Sequence, residues 1–501
     1  MHLVVFSGLL LGVWAPWREV LRTSPPDTAA INAIVQDALK VWEVPGVAVA
    51  IVRDDAVIYL KGHGVKDLNT GQPVTPDTVF PLASCTKAFT TTAMAMLVDE
   101  GKMAWDDPVR KHVPFFRLSD PLADRDVTLR DLVCHRTGVA GHDLLWYRAP
   151  WSAEERVRRI GLVKLDRPFR SAFQYQSIMF TAAGLAVGSA SRSSWADFVR
   201  ERIFIPLGMT NASLTTPEAE KSPDRASPHR KNGQGQLEVI RWYSIDAPDA
   251  AGSINASARD LTRWLRFQLG DGTFEGRRLV SAANLAETHT PQFVLRMEGS
   301  NRSLHPETNQ MSYGLAWVIQ DYRGQLLVSH AGAIDGFRAH ITLVPKARLG
   351  IALLNNLHET RMNLALSNSL LDLLLGLPRK DWNRIVGEVV REEEAAAAAR
   401  QRERLARRHH GTRPSREPSA YAGTYEEPAY GIARVSVQKG GLVLHWSSFT
   451  SPLRHFHYDT FTAEGDLPGN PQVVFTLGPD GEVATLKVLE PMNVEFKKVK
   501  K

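Results

Sequence analysis

Cysteine is almost missing from this chain: Cys85 and Cys134 are the two in 501 residues. That excludes a disulfide framework in a protein of this size, and the lack of a C-x-x-C pair removes the commonest zinc and dithiol motifs. Charge of one sign is missing too, since 60 Lys and Arg stand against 54 Asp and Glu for a net +6. Much of the excess sits in residues 400–416, where Arg402, Arg404, Arg407, Arg408 and Arg413 cluster without interleaved aromatics. Such a run reads as a solvated helix face or linker, and no nucleic-acid partner is expected. The apolar stretch at residues 3–14 is too short to cross a bilayer, so no integral membrane span is expected. No G-x-S-x-G motif occurs, which sets aside the nucleophile elbow of α/β-hydrolases.

The short apolar stretch fits the core of a signal peptide, with Val13 and Ala15 at the small-residue cleavage positions. Residues 1–26 are therefore read as a leader and the protein as periplasmic or secreted. Two features oppose this: no Lys or Arg precedes the stretch, and Pro16 follows the cleavage position. A cytoplasmic place is the alternative if the stretch is not a signal.

What is present is Ser84-Cys85-Thr86-Lys87, directly ahead of the apolar residues 88–97, which read as a buried helix. Residues at i and i+3 share a helix face, so Lys87 can reach the Ser84 hydroxyl and help take its proton. Unpaired N–H groups and a positive dipole at a helix start favour an alkoxide or oxyanion there. Cys85 lies one step around the helix and reads as a small apolar packer. Chance alone supplies roughly two S-x-x-K tetrads in a chain of this length at average residue usage. The second one, Ser436-Val437-Gln438-Lys439, lies in an alternating, strand-like segment. There i and i+3 point to opposite faces, so that lysine cannot serve that serine.

Periodicity places a helix over residues 27–41 and a hairpin from residues 47–52 and 57–60 around Arg53-Asp54-Asp55-Ala56. A second hairpin joins residues 339–344 to 349–354 through Pro345-Lys346. Between the hairpins the chain reads as mostly helical. The fold class is therefore α/β of the α+β kind, an antiparallel sheet closed by the two chain ends, flanked by helices and carrying a helical insert. From Trp382 the composition shifts to an exposed Glu, Ala and Arg helix that ends in a Pro-containing linker. From Tyr421 on, short alternating segments recur between Gly440-Gly441, Pro468-Gly469-Asn470 and Pro479-Asp480-Gly481. They read as a small all-β, barrel-like domain. The boundaries drawn are 27–380 for the main domain, 381–418 for charged helix and linker, and 419–501 for the β domain.

A nucleophilic serine needs a base, an oxyanion site and groups that orient both. Two further clusters stand out, Phe173-Gln174-Tyr175-Gln176-Ser177 and Ser329-His330-Ala331-Gly332-Ala333. With these in view, the chain resembles the serine β-lactamase and penicillin-binding protein superfamily. The similarity is to the branch of class C β-lactamases, D-alanyl-D-alanine carboxypeptidases, D-aminopeptidases and esterases. Ordered segments carry the resemblance, among them Val44-Pro45-Gly46-Val47, His135-Arg136-Thr137-Gly138, Pro206-Leu207-Gly208-Met209 and Tyr313-Gly314-Leu315-Ala316-Trp317. The resemblance maps Ser-x-x-Lys to Ser84 and Lys87. It maps Tyr-x-Asn to Tyr175 and Ser177, and Lys/His-x-Gly to His330 and Gly332. It implies that Tyr175 and Lys87 exchange the proton of Ser84, and that the backbone N–H groups of Ser84 and Ala333 hold the oxyanion. Ser177, His330, Ala331 and Gly332 would contact substrate.

Two departures from the pattern bear on substrate. Ser177 replaces an Asn that hydrogen-bonds the lysine and the substrate amide, and its reach is shorter. His330 replaces a permanent cation and titrates near neutrality, so a carboxylate anchor there would be partial. Tyr421-Ala422-Gly423-Thr424-Tyr425 looks like the opening of the lipocalin-like domains appended to some of these hydrolases, which makes the β domain a candidate surface for a homo-oligomer. His135 is expected to shape the site without chemistry. His455 and His457 can share a strand face, but with no third ligand nearby they read as solvated, and neither a metal nor a cofactor is expected. The sequence thus reads as a serine hydrolase working through an acyl-enzyme on small-molecule or peptide substrates. Small esters, amides and D-amino-acid peptides are the expected classes. A class C-like β-lactamase is the alternative enzyme, and a catalytically weak penicillin- or peptidoglycan-binding protein the alternative of another class.

Overall fold

The computed structural model describes residues 27–500 apart from 246, 248 and 491, so the leader reading lies outside the described residues. Helix α1 (Thr28–Trp42) starts where the Asp27 carboxylate accepts from the Ala29 and Ala30 N–H groups, and stops where Glu43 turns left-handed at φ 52°. Strands β1 (Gly46–Arg53) and β2 (Ala56–Gly64) follow. Asp54 and Asp55, at φ 48° and 66°, make the two-residue turn between them, the turn whose twist matches a hairpin. Helices α2 (Thr86–Asp99), α3 (Ser177–Ser191) and α4 (Ala258–Leu269) come next. Strands β3 (Phe293–Leu295), β4 (Met311–Tyr313), β5 (Val318–Tyr322), β6 (Gln325–Ile334), β7 (Phe337–Val344) and β8 (Leu349–Asn355) complete the sheet. Helices α5 (Met362–Leu374) and α6 (Trp382–Ala406) lead out of it.

The sheet has eight antiparallel strands in the order β2-β1-β8-β7-β6-β5-β4-β3. It is closed by the chain ends as expected, with Val47 opposite Asn355 and Arg53 opposite Leu349. It is wider than the two hairpins foretold, because β3 to β6 fall in the stretch read as helical. Both faces of the sheet are covered. Val47, Val49 and Ile51 pack with α1, α5 and the start of α6, while Ala48, Ala50 and Val52 pack with α2, α3 and α4. A strand covered on both sides reads as a continuous apolar run, which is what residues 47–52 show.

Eight further strands, β9 (Gly423–Glu427), β10 (Gly431–Gln438), β11 (Gly441–Trp446), β12 (Phe449–His457), β13 (Thr460–Ala463), β14 (Gln472–Leu477), β15 (Val483–Val488) and β16 (Val494–Lys498), form a closed barrel. Closure comes from Tyr425 and Glu426 pairing with Lys498 and Lys497. Every strand edge is then paired, which removes the aggregation hazard of an open sheet. Ser436 lies on β10 and hydrogen-bonds the ring of His445 at 3.2 Å, so the second tetrad assembles no Ser–Lys pair. A register shift between His455 and His457 breaks their shared face, and His455 Nε2 donates to the Tyr458 carbonyl at 2.9 Å.

Candidate active site

Ser84 lies within a single 3₁₀ turn, Ala83–Cys85, that runs straight into α2. Ala83 holds φ +46°, a left-handed conformation that costs a residue with a Cβ about 1 kcal/mol or more. The turn is held from several sides. Leu82 N–H donates to the Ile254 carbonyl at 2.8 Å, and Thr86 Oγ1 accepts from Ile254 N–H at 3.1 Å. On β6, Gly332 lies so close that a Cβ there would sit 2.0 Å from the Leu82 carbonyl oxygen. Only glycine allows this approach, which brings Ala333 to the wall of the same cavity as Ser84.

Lys87, in the first turn of α2, has no exposed surface. Its Nζ donates to Ser84 Oγ at 3.0 Å and to the Ala251 carbonyl at 2.8 Å. It also sits 5.1 Å from the Tyr175 ring centre and 5.4 Å from that of Phe180. A buried amine needs such partners, and these fix it against the hydroxyl. Tyr175 and Ser177 line the cavity with Ser84. Ser177 opens α3, and no hydrogen bond links it to Lys87 among the described residues. The second acceptor for the amine is the Ala251 carbonyl instead. Asp249 holds that turn: it accepts from Ala251 N–H at 2.8 Å and pairs with Arg156 at 2.7 Å.

His330 is buried and held at both ring nitrogens. Nδ1 donates to the Ala331 carbonyl at 2.7 Å, and Nε2 accepts from the Tyr313 hydroxyl at 3.0 Å. Burial, with Lys87 nearby, pulls its pKa down to about 3. The partial charge expected from the sequence is therefore corrected: in this environment the ring is neutral at pH 7. The cavity lining takes Ala333 and Ile334 from β6, and His330 stands behind it against Tyr313. Ala331 and Ala333 share the strand face opposite Gly332, and Ala333 rather than Ala331 reaches the cavity wall.

His135 does more than fill space. It is fully buried with φ 59°, and its ring lies 4.2 Å from that of Tyr175. Its carbonyl accepts from Gln174 N–H at 2.8 Å and its Nδ1 from Gln176 N–H at 3.1 Å, so both neighbours of Tyr175 hang on one histidine. Burial first, then Lys87, holds its pKa well below the usual histidine range. Cys85 is buried as expected, with its thiol pushed up to about 12 by burial.

The cavity is about 460 Å³, within the usual span of small-molecule sites. Sequence reading missed Asp143, Trp146, Trp151, Thr181 and Tyr243 in its walls. Thr181 lies on α3, and the others sit on loops or a short 3₁₀ turn with no regular period, where the turn-forming Gly252 and Ser253 were the one signal nearby. Burial raises the Asp143 pKa, and Trp146 Nε1 donates to its carboxylate at 2.9 Å. A second compartment of about 660 Å³ shares Asp143, Trp146, Ala333 and Ile334, and its far side is Tyr430, Pro468, Met492 and Asn493 of the barrel.

Residues 31–374 match the Beta-lactamase family, and residues 407–500 match a domain of unknown function, DUF3471. The chain therefore belongs to the Beta-lactamase family, and it is a hydrolase of the serine β-lactamase and penicillin-binding protein superfamily. Among curated proteins it is 27% identical over 484 residues to the unguisins hydrolase ungD of Aspergillus violaceofuscus, covering 89% of this chain and 85% of that one. The octameric penicillin-binding protein homologue from Pyrococcus abyssi superposes with a TM-score of 0.62 at 21% identity, over 94% of this chain and all of that one. The D-amino acid amidase from Ochrobactrum anthropi superposes with a TM-score of 0.55 at 21% identity, over 73% of this chain and 99% of its own.

Proposed function

We propose that this protein hydrolyses small esters and amides through an acyl-enzyme on Ser84, with D-amino-acid peptides as the natural class. The observation that carries the reading is the Lys87 amine 3.0 Å from Ser84 Oγ in a buried setting. Lys87 and Tyr175 take the hydroxyl proton as Ser84 Oγ bonds to the substrate carbonyl carbon. The resulting oxyanion lies between the N–H groups of Ser84, at the start of α2, and Ala333. Collapse breaks the bond to the leaving group, which takes the proton back from Tyr175. Water, deprotonated by the same pair, then attacks the acyl carbon and frees Ser84. The relatives named as a hydrolase of unguisins and an amidase of D-amino acids support the substrate class. A neutral His330 behind the wall leaves a β-lactam carboxylate without a charged partner at that place, which argues against the β-lactamase alternative.

Labelling with a fluorescent fluorophosphonate, run beside turnover of p-nitrophenyl acetate and a D-alanyl p-nitroanilide, tests the reading. Label on Ser84 together with turnover supports it. Label without turnover of any ester or amide would instead indicate a binding protein that traps its acyl group.

A further inference from the structure

The second half of α6 stands clear of the rest of the chain, and its charges are laid out in a way that does not serve the helix itself. Its first turns are anchored: Trp382, Val386 and Val389 are buried, and Glu393 accepts from Ser300 Oγ at 2.7 Å. Residues 394–403 are exposed without a break. Glu392, Glu393 and Glu394 precede the alanines 395–399, and Arg400, Arg402 and Arg404 follow them. Opposite charges steady a helix at spacings of three or four residues. Here Glu394 stands six residues before Arg400 and eight before Arg402, out of their reach on one helix. Like charges do sit four apart, Glu388 with Glu392 and Arg400 with Arg404, which weakens an isolated helix. The ion pairs along α6 are Arg384–Glu388, Arg361–Glu393 and Glu403–Arg407. Among the described residues none includes Glu394, Arg400, Arg402 or Arg404. Half a turn from the buried residues the helix presents Arg391, Ala395, Ala398, Arg402 and Leu405, and Leu405 is 49% exposed.

We propose that this outer face of α6 is a self-association surface, on which a second copy of the chain lies antiparallel and crosses at Ala398. The reversed copy brings its arginine half beside the glutamate half of the first. Glu394 and Arg402 lie four residues either side of Ala398, about 6 Å along the axis in each direction. Glu394 therefore comes against Arg402 of the second copy, and Arg402 against its Glu394. One residue pair makes two ion pairs, as a two-fold axis requires. Leu405 of each copy comes opposite Arg391 of the other, whose aliphatic stem covers it. The alanine at the crossing has nothing beyond Cβ to hold the two axes apart. A parallel copy would set arginine against arginine, so the charges fix the direction as well as the partner. One helix crossing falls below the roughly 1,200 Å² of a lasting interface, so the dimer is weak and sensitive to salt.

Sedimentation equilibrium of the full chain measures the association. A dimer with a dissociation constant on the order of micromolar is expected. It should weaken several-fold between about 0.1 and about 1 M salt, as the screening length falls from roughly 10 to 3 Å. Glu394→Arg and Arg402→Glu each set like charges across the crossing twice, and each is expected to weaken association about tenfold. Mixed one to one, the two variants again offer each other opposite charges and are expected to associate as the parent does. The chain carrying both exchanges is expected to do the same. All three variants should keep the parent Tm, since the positions are exposed. A chain that stays monomeric at every concentration overturns the proposal, and its retention on heparin would assign the arginines to an acidic partner instead. A dimer indifferent to both single reversals also overturns it and puts the interface elsewhere. Weakening in the single variants with no recovery in the mixture or the double exchange overturns it too, and assigns the effect to the helix alone.

Discussion

At the residue scale the site rests on a few side chains whose burial decides their chemistry. Lys87 faces a hydroxyl from its own helix start, a carbonyl from the Ala251 turn and two aromatic rings, Tyr175 from the loop before α3 and Phe180 from the start of that helix. Tyr175→Phe and Lys87→Ala are each expected to lower acylation on the order of a hundredfold or more, with losses that do not multiply because one proton is shared. Single and double variants assayed on p-nitrophenyl acetate check this, and multiplicative losses would contradict it. His135 gives a second cycle. His135→Asn is expected to slow acylation about tenfold in the wild-type background and to change little beside Tyr175→Phe, because its effect passes through the tyrosine it holds. A loss of equal size in both backgrounds would make it a general packing residue. Ser177→Asn is expected to raise the amide-to-ester ratio of kcat/KM, since Asn offers a donor and an acceptor in the cavity where Ser has one short hydroxyl. A ratio that falls or stays level would show Ser177 already suited to its substrate.

At the scale of elements, the approach to α2 depends on β6 coming within contact of Leu82. Gly332→Ala is expected to cost about 1–3 kcal/mol of stability, because its Cβ would press on a backbone oxygen, and to remove most activity by moving Ala333. Thermal unfolding and labelling rates measured together check this, and full activity would contradict the close packing. The same elements show what the sequence made legible. The Ser84 turn, α2 and the β1–β2 and β7–β8 hairpins were readable because apolar residues recur with a clear period or sit between turn residues. Strands β3, β4 and β5 were not, being three, three and five residues long, too short for a period to show. In the barrel, β10, β11, β14 and β15 announced themselves by alternation. β12 was hidden by Pro452 and by the irregularity near His457. The roles expected of Ser84 and Lys87 came from their i, i+3 spacing at a helix start and that of Tyr175 from the family resemblance, whereas the Arg156–Asp249 and Arg148–Asp466 pairs join residues more than ninety apart and leave no local trace.

At the scale of the whole molecule, histidines kept neutral by burial tie stability to pH, with His135, His289, His305 and His340 lowered by burial alongside His63 and His330. His63 is held between Tyr59 and Gln36 with its pKa lowered to about 4, and His330 lies near 3. Both bind protons more readily when unfolded, where the ordinary value is about 6.5. Their contribution is therefore complete above pH 6.5 and is lost as pH falls through the window from 6.5 to 4 and then 3. Tm is expected to drop across that window, and His63→Gln to flatten the drop between pH 6.5 and 4. Parallel curves for the two proteins would contradict the assignment.

The claim on which the rest depends is that Ser84 becomes acylated. Incubating the full chain with a slowly hydrolysed p-nitrophenyl ester, quenching in acid and sequencing the modified peptide by mass spectrometry measures it directly. The expected result is one acyl group per chain, located on Ser84, absent from Ser84→Ala and unaffected by Ser436→Ala. An acyl group on another residue, or ester turnover that persists in Ser84→Ala, would contradict it.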